Sequence, residues 1–191
     1  MHVVYMMQCS FIQQYLVLSP EQCHEFIDAF TNDTRQQPGM IGLDRIDPTK
    51  KASTDIQAWF LKEEFEQYNN IIIKPLQAAV EEYINTYDLQ EQPEFTIHDA
   101  YNIQHYKDGE GYSRLHCEWM PEERYNLRML AWMINLNNAQ CGTYFKHQDI
   151  TTPAVQGVCT IWPAYWTHMH RGVTPNIGHK YIATGWVNYI K

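Results

Sequence analysis

The chain has 191 residues, 45% hydrophobic and 19% charged, enough for one domain with a real core. Its formal net charge of −8 and the lack of any Lys/Arg run argue against a nucleic-acid partner. No apolar run is long enough to span a bilayer, so no membrane partner is expected.

The opening "MHVVYMMQCSFIQQY" lacks the basic, apolar and small-residue succession of a signal peptide. The five cysteines (Cys9, Cys23, Cys117, Cys141, Cys159) are odd in number and form no C-x-x-C. A disulfide framework or zinc ribbon is therefore disfavoured, and a reducing, cytoplasmic compartment fits. "LSPEQCHEFIDAFTND" predicts a helix: Ser19 is a good N-cap, Pro20 suits the first helical position, and Gln22 can close a capping box. Cys23, Phe26, Ile27 and Phe30 would form its apolar face. "QQPGMIG" reads as a turn or loop. Ile56 to Tyr87 reads as mostly helical, with Pro75 marking a break or a helix start. "LQEQPE" reads as a loop. After Phe95, aromatic and β-branched residues alternate with polar ones. The strand candidates are "FTIHDAYNIQHY", "RMLAWMINL", "TYFKH", "GVCTIW" and "KYIATGWVNYI". No helical stretch separates them, so a β-sandwich or small barrel with an N-terminal helical jacket is expected rather than a parallel sheet. No linker divides the chain, so residues 1–191 read as a single domain, 1–95 mostly helical support and 96–191 a β core.

Two short stretches carry the chemistry. In "HCE", a strand would place His116 and Glu118 on one face. In "THMHRG", His168 and His170 sit two apart, and either could add a third ligand. Two histidines and one carboxylate form a facial triad with open positions, a set suited to non-haem Fe(II) and O₂. Lys180 follows ten residues after His170, across the turn "TPNIG". A buried lysine beside a metal needs an anion, and a dicarboxylic cosubstrate would supply one.

In order, the chain offers "HYKDGEGY", "HCE", "WMINLN", "CGTYF", "WPAYWTHMHRG" and "KYIATGW". Over about residues 99 to 188 this succession resembles the Fe(II)- and 2-oxoglutarate-dependent dioxygenases, within them the prolyl-4-hydroxylase-like group. The resemblance implies a mainly β fold with N-terminal α, a double-stranded β-helix (jelly roll) with supporting helices. It implies His116, Glu118 and His170 as iron ligands, with His168 left beside the site. Lys180 would meet the distal carboxylate of 2-oxoglutarate, Tyr106 would reach the same cosubstrate, and Thr143 would line its pocket. It also implies that "MIGLDRIDPTKKASTDI" flanks the active site. Three departures stand out: Glu118 where Asp is commoner, Asn135 where several prolyl hydroxylases carry tyrosine, and Cys141 where a glycine pair is common. The implied reaction is hydroxylation of an unactivated C–H bond, most simply in a prolyl residue of a peptide or protein. The competing readings are the same chemistry on a free amino acid or other small molecule, a cupin-like zinc hydrolase, and a non-catalytic metal-binding sensor.

Overall fold

The structure is a computed structural model that describes residues 10–42, 45–123, 125–174 and 178–190. Two antiparallel sheets face each other. The major one contains β1 (Gln13–Leu16), β2 (Gln37–Pro38), β3 (Thr54–Trp59), β4 (Phe95–Ile97), β5 (Ala100–Tyr106), β6 (Arg128–Asn135), β9 (Val158–Pro163) and β11 (Lys180–Tyr189). They run in the order β1–β9–β6–β11–β5–β3–β2, with β4 also paired to β11. The minor sheet is β10–β7–β8, from β7 (Ala139–Phe145), β8 (Ile150–Ala154) and β10 (His170–Gly172). The double-stranded β-helix expected from the resemblance is the fold observed.

The central strand β6 shows why the layers assemble. All eight of its residues are buried, and the two-residue period divides them between two cores. Leu130, Trp132 and Ile134 face the helical layer, where they join Phe26 and Phe30 of α1 (Pro20–Thr31) and Ile72 and Leu76 of α2 (Glu66–Thr86). Ala131 and Met133 face inward, where they meet Phe145 of the minor sheet, Trp162, Tyr106 and Ile182. Each fully buried large side chain contributes about 1.5–3 kcal/mol. Gly185 on β11 lies opposite Trp132, and a Cβ there would meet the indole at 2.6 Å. Only glycine lets the indole lie against the backbone of the neighbouring strand.

Helix α1 is as expected. Ser19 accepts from the Gln22 amide, Gln22 reaches back to the Ser19 amide, and Cys23, Phe26 and Phe30 are buried. Other elements differ from expectation. Residues 54–59 form a strand rather than the start of a helix, because Ile56 and Ala58 are buried in the sheet along β5. Thus β1, β2 and β3 lie within the segment expected to be mostly helical, and β1 and β3 are paired into the major sheet. Pro75 sits inside α2 instead of breaking it. The lost backbone bond costs about 3 kcal/mol, and burial of Ile71, Ile72, Leu76, Ala79 and Val80 around the proline offsets it. "FTIHDAYNIQHY" forms two strands, β4 and β5, with His98 and Asp99 between them.

Candidate metal centre

β5 ends at Tyr106, and the chain leaves it through a turn with Gly109 at φ 76°. Residues 112–118 form no regular strand, contrary to expectation. Isolated bridges hold them instead. Lys51 pairs with Tyr112, and His116 pairs with His170 through two backbone hydrogen bonds, 2.9 and 2.8 Å. The Glu118 amide donates to the Ala164 carbonyl at 3.0 Å. The expected convergence of His116 and Glu118 is thus reached by stitching an irregular segment to the β9–β10 region.

One nitrogen of His116, one of His170 and one oxygen of Glu118 all lie within 4.8 Å of one another. Nε2 of His116 is 3.5 Å and Nε2 of His170 3.4 Å from Glu118 Oε1. Each imidazole uses its other nitrogen on the backbone: Nδ1 of His116 bonds the Arg114 carbonyl and Nδ1 of His170 the His168 carbonyl, both at 2.8 Å. A carbonyl only accepts, so both Nδ1 atoms carry a proton, and in the neutral rings both Nε2 atoms present lone pairs. Tyr112 stacks on His116 with centroids 3.9 Å apart, and Phe145 and Trp162 flank His170. Burial, then the neighbouring His170, lowers the His116 pKa. Burial also opposes ionisation of Glu118, but hydrogen bonds from the facing imidazoles, and their charge when they carry a proton at Nε2, hold its pKa well below the usual carboxylate range. Three electron-pair donors therefore converge on one point. Such a set favours a positive charge at its centre, a metal ion or a shared proton, and among the described residues no fourth His, Cys, Asp or Glu joins it.

The outer oxygen of Glu118 is held as well. Oε2 accepts from Trp186 Nε1 at 2.9 Å and from the Arg128 guanidinium at 3.4 Å. The same guanidinium donates to the Glu118 carbonyl at 2.9 Å and lies 3.5 Å over the Trp186 ring. Neither residue is marked out by the sequence. Nothing local in "NLRML" or "ATGW" reports that β6 and β11 are neighbours.

A cavity of about 570 Å³ opens on the three ligands and reaches Lys180, Tyr106 and Thr143. Lys180 and Tyr106 are directly opposed across β11 and β5. Thr143 opposes Gly172 on β10, two residues after His170. All three are about 95% buried. No carboxylate pairs with Lys180 among the described residues, and burial pushes its pKa down. The Tyr106 hydroxyl donates to Gln104 Oε1 at 2.7 Å, and burial raises its pKa, keeping it protonated. Among the described residues the Thr143 hydroxyl has one contact, at 4.0 Å with Met133 sulfur.

The ring of His168 turns away, with Nε2 on the Ser10 carbonyl at 2.8 Å; its carbonyl, not its imidazole, orients His170. Asn135 bonds the Val158 carbonyl through Nδ2 at 3.5 Å and does not line the cavity. The segment 40–55 does border it, through Met40, Ile41, Arg45 and the buried pair Lys51–Asp55. Lys51 also donates to the Met40 carbonyl, so the pair ties this loop to the cavity wall.

No family model and no curated protein matches the sequence. Solved structures do match. A viral collagen prolyl hydroxylase of Paramecium bursaria Chlorella virus-1, in its 2-oxoglutarate complex, aligns over 94% of this chain and 97% of its own at 20% identity and TM-score 0.68. A prolyl-4-hydroxylase of Pseudomonas putida aligns over 95% and 94% at 14% identity and TM-score 0.66. The chain has the prolyl hydroxylase fold. A third match with this fold, a prolyl hydroxylase of Trichoplax adhaerens bound to a hypoxia-inducible-factor peptide fragment, covers 94% of this chain and 84% of its own. Its TM-score is 0.73 at 12% identity.

Proposed function

We propose that the chain is an Fe(II)- and 2-oxoglutarate-dependent dioxygenase that hydroxylates a prolyl residue of a peptide or protein. The observation that carries this reading is the joining, in one cavity, of a His–Glu–His donor set to a buried lysine with no anionic partner among the described residues. A zinc hydrolase would need the first and have no use for the second. His116 Nε2, His170 Nε2 and Glu118 Oε1 would hold the metal. When bound, Fe(II) with 2-oxoglutarate and O₂ supplies the oxidation, converting C–H to C–OH while 2-oxoglutarate gives succinate and CO₂.

The chain's own residues do the rest. Lys180 provides the charge for a distal carboxylate, in a setting dry enough to make that contact strong. Tyr106 and Thr143 supply neutral hydroxyls beside it. The hydrogen bonds at Nδ1 fix both imidazoles in the ligating tautomer. Trp186 and Arg128 hold Glu118 so that one oxygen faces inward. Met133, Trp162 and Ile182 give the cosubstrate end an apolar wall. The peptide reading is supported by the Trichoplax adhaerens prolyl hydroxylase of this fold, which is bound to a peptide fragment. Four described cysteines are unpaired and no described helix is long and apolar enough to cross a membrane, which is consistent with the cytoplasmic compartment proposed.

The test is 2-oxoglutarate binding to the anaerobic Fe(II)-loaded protein, read by the visible charge-transfer band of the chelate. The band should appear with the wild-type protein and weaken or vanish in Lys180→Ala and Glu118→Ala. No band, together with tight zinc binding, would move the site to the hydrolase reading.

A further inference from the structure

The hydroxyl of Tyr106 is already engaged. A phenol has one proton to donate. Tyr106 gives it to Gln104 Oε1 at 2.7 Å, and the two residues are only 5% and 7% exposed. Burial keeps the phenol protonated, so the bond persists at ordinary pH. What remains on the hydroxyl is lone pairs, and a carboxylate, which also brings only lone pairs, gains nothing from them.

The same bond orients Gln104. With Oε1 accepting from Tyr106, the Nε2 end of the amide is left with two protons. On β5, Gln104 lies between Asp55 of β3 and Ile182 of β11. The Asp55 oxygens accept from Lys51 and Ser53, and Ile182 has no side-chain acceptor. Nε2 has no partner among the described residues, yet it is not one of the sealed, unpartnered atoms of the buried side chains. It therefore opens on the cavity, which Gln104 lines together with Lys180 and the three ligands. Gln104 and Tyr106 are two apart and leave the same face of β5, and Tyr106 lies opposite Lys180. The idle donors thus stand roughly 7 Å along the strand from the Lys180–Tyr106 pair. They lie in the direction in which β11 leads to Trp186 and, through it, to Glu118. A buried amide with idle donors carries a desolvation cost that an anionic acceptor removes.

We infer that Gln104 is a further cosubstrate-binding residue: its Nε2 donates to a carboxylate oxygen of the 2-oxo dicarboxylate, and Tyr106 is a positioning residue that acts by holding the Gln104 amide. The inference rests on the reading of this cavity as a 2-oxoglutarate site. Lys180 supplies a charge whose three rotatable protons leave it undirected. The amide, clamped by Tyr106, supplies two donors in fixed directions. Nothing local in "NIQHY" marks the glutamine, because its part depends on the tyrosine two residues on and on the lysine across the sheet.

The test titrates 2-oxoglutarate into the anaerobic Fe(II)-loaded protein, read by the charge-transfer band, for wild type, Gln104→Met, Tyr106→Phe and the double variant. Gln104→Met keeps the length and removes both donors. It should raise Kd by roughly ten- to a hundredfold and leave Mn(II) affinity, read by electron paramagnetic resonance, unchanged. Tyr106→Phe should raise Kd less, and in the Gln104→Met background should add under about twofold. A Gln104→Met Kd within about twofold of wild type overturns the inference. So does a Tyr106→Phe loss of equal size in both backgrounds, because the phenol would then reach the cosubstrate itself. A matching loss of Mn(II) affinity in Gln104→Met would mark a structural effect and overturn it too. A second readout needs only the wild-type chain. In nuclear magnetic resonance of isotope-labelled, Zn(II)-loaded protein, the Gln104 side-chain amide protons should move downfield when 2-oxoglutarate is added. Unmoved signals overturn the inference even where Gln104→Met does not fold. Absence of 2-oxoglutarate binding by the wild type fells the oxygenase reading itself. Binding by the wild type with Gln104 indifferent to it fells this inference alone.

Discussion

Lys180→Met separates two roles that most substitutions confound. The lysine is 5% exposed, has no carboxylate partner among the described residues, and burial lowers its pKa. Without an anion, its ammonium is therefore a cost to the fold. Methionine has similar length and no charge, so the variant should be more stable than wild type by about 1–3 kcal/mol. At this chain length that raises Tm by roughly 3–8 °C in the absence of ligand. The effect with 2-oxoglutarate should have the opposite sign. A ligand at a hundred times its Kd stabilises by about 2.7 kcal/mol, and the methionine variant should forfeit most of that. The assay is differential scanning fluorimetry on Mn(II)-loaded protein with and without 2-oxoglutarate. The pH dependence adds a second check. Because the folded pKa lies below the ordinary 10.5, the unfolded chain binds the proton more readily. Ligand-free wild-type stability should rise as pH climbs towards 10.5, relative to the variant, and the difference should shrink. A variant that melts lower than wild type yet keeps the 2-oxoglutarate shift would refute the reasoning, since Lys180 would then be a satisfied structural residue.

Two further predictions concern the scaffold. Gly185→Ala should lower stability by about 1–3 kcal/mol, because its Cβ would enter the Trp132 indole; chemical denaturation measures it. His105 contacts His179 at 2.7 Å and stacks on Tyr181, and burial, then His179 and Lys107, pulls its pKa to about 4, Glu110 opposing. Its contribution is complete above the unfolded value near 6.5 and is lost as pH falls towards 4, where only the unfolded chain takes the proton. After allowance for solvent screening the loss is about 1 kcal/mol, and His105→Gln should flatten the stability profile between pH 6.5 and 4. An unchanged profile would show that His105 is not held uncharged in the fold.

What the sequence made legible was local or strongly periodic. The capping box at Ser19 and Gln22 is complete within four residues, so α1 could be placed closely. β6 and β11 were legible as stretches rich in aromatic and β-branched residues with no helical segment between them. Residues 54–59 were not, since "TDIQAWF" carries aromatics that also fit the helical spacing of the next segment, and only pairing with β5 decides. The three ligand candidates and Lys180 could be named because two short motifs and one offset hold them. The groups that orient them could not. Arg128 and Trp186 reach Glu118 through a β6–β11 pairing of residues 47 to 60 positions apart in sequence. The carbonyls of Arg114 and His168 have no side-chain signature at all. Lys51 and Asp55 look like ordinary polar loop residues until the fold buries them together.

The glutamate at position 118 becomes understandable through those hidden partners. A longer side chain gains reach and loses definition, since one more torsion must be fixed. Here Trp186 and Arg128 fix it by engaging Oε2, which leaves Oε1 facing the two imidazoles. Glu118→Asp would draw the carboxylate back by about 1.5 Å, too far to meet both the indole N–H and the metal position. Trp186→Phe would keep the ring for Arg128 to lie on but remove the hydrogen bond. Each should weaken Mn(II) binding, read by electron paramagnetic resonance titration, by roughly ten- to a hundredfold. The decisive measurement is the combination. If Trp186 acts on the metal only by positioning Glu118, then Trp186→Phe should change affinity little in a Glu118→Ala background. Equal losses from Trp186→Phe in both backgrounds would mean that the indole supports the site by packing alone, and the account of why glutamate works here would fail.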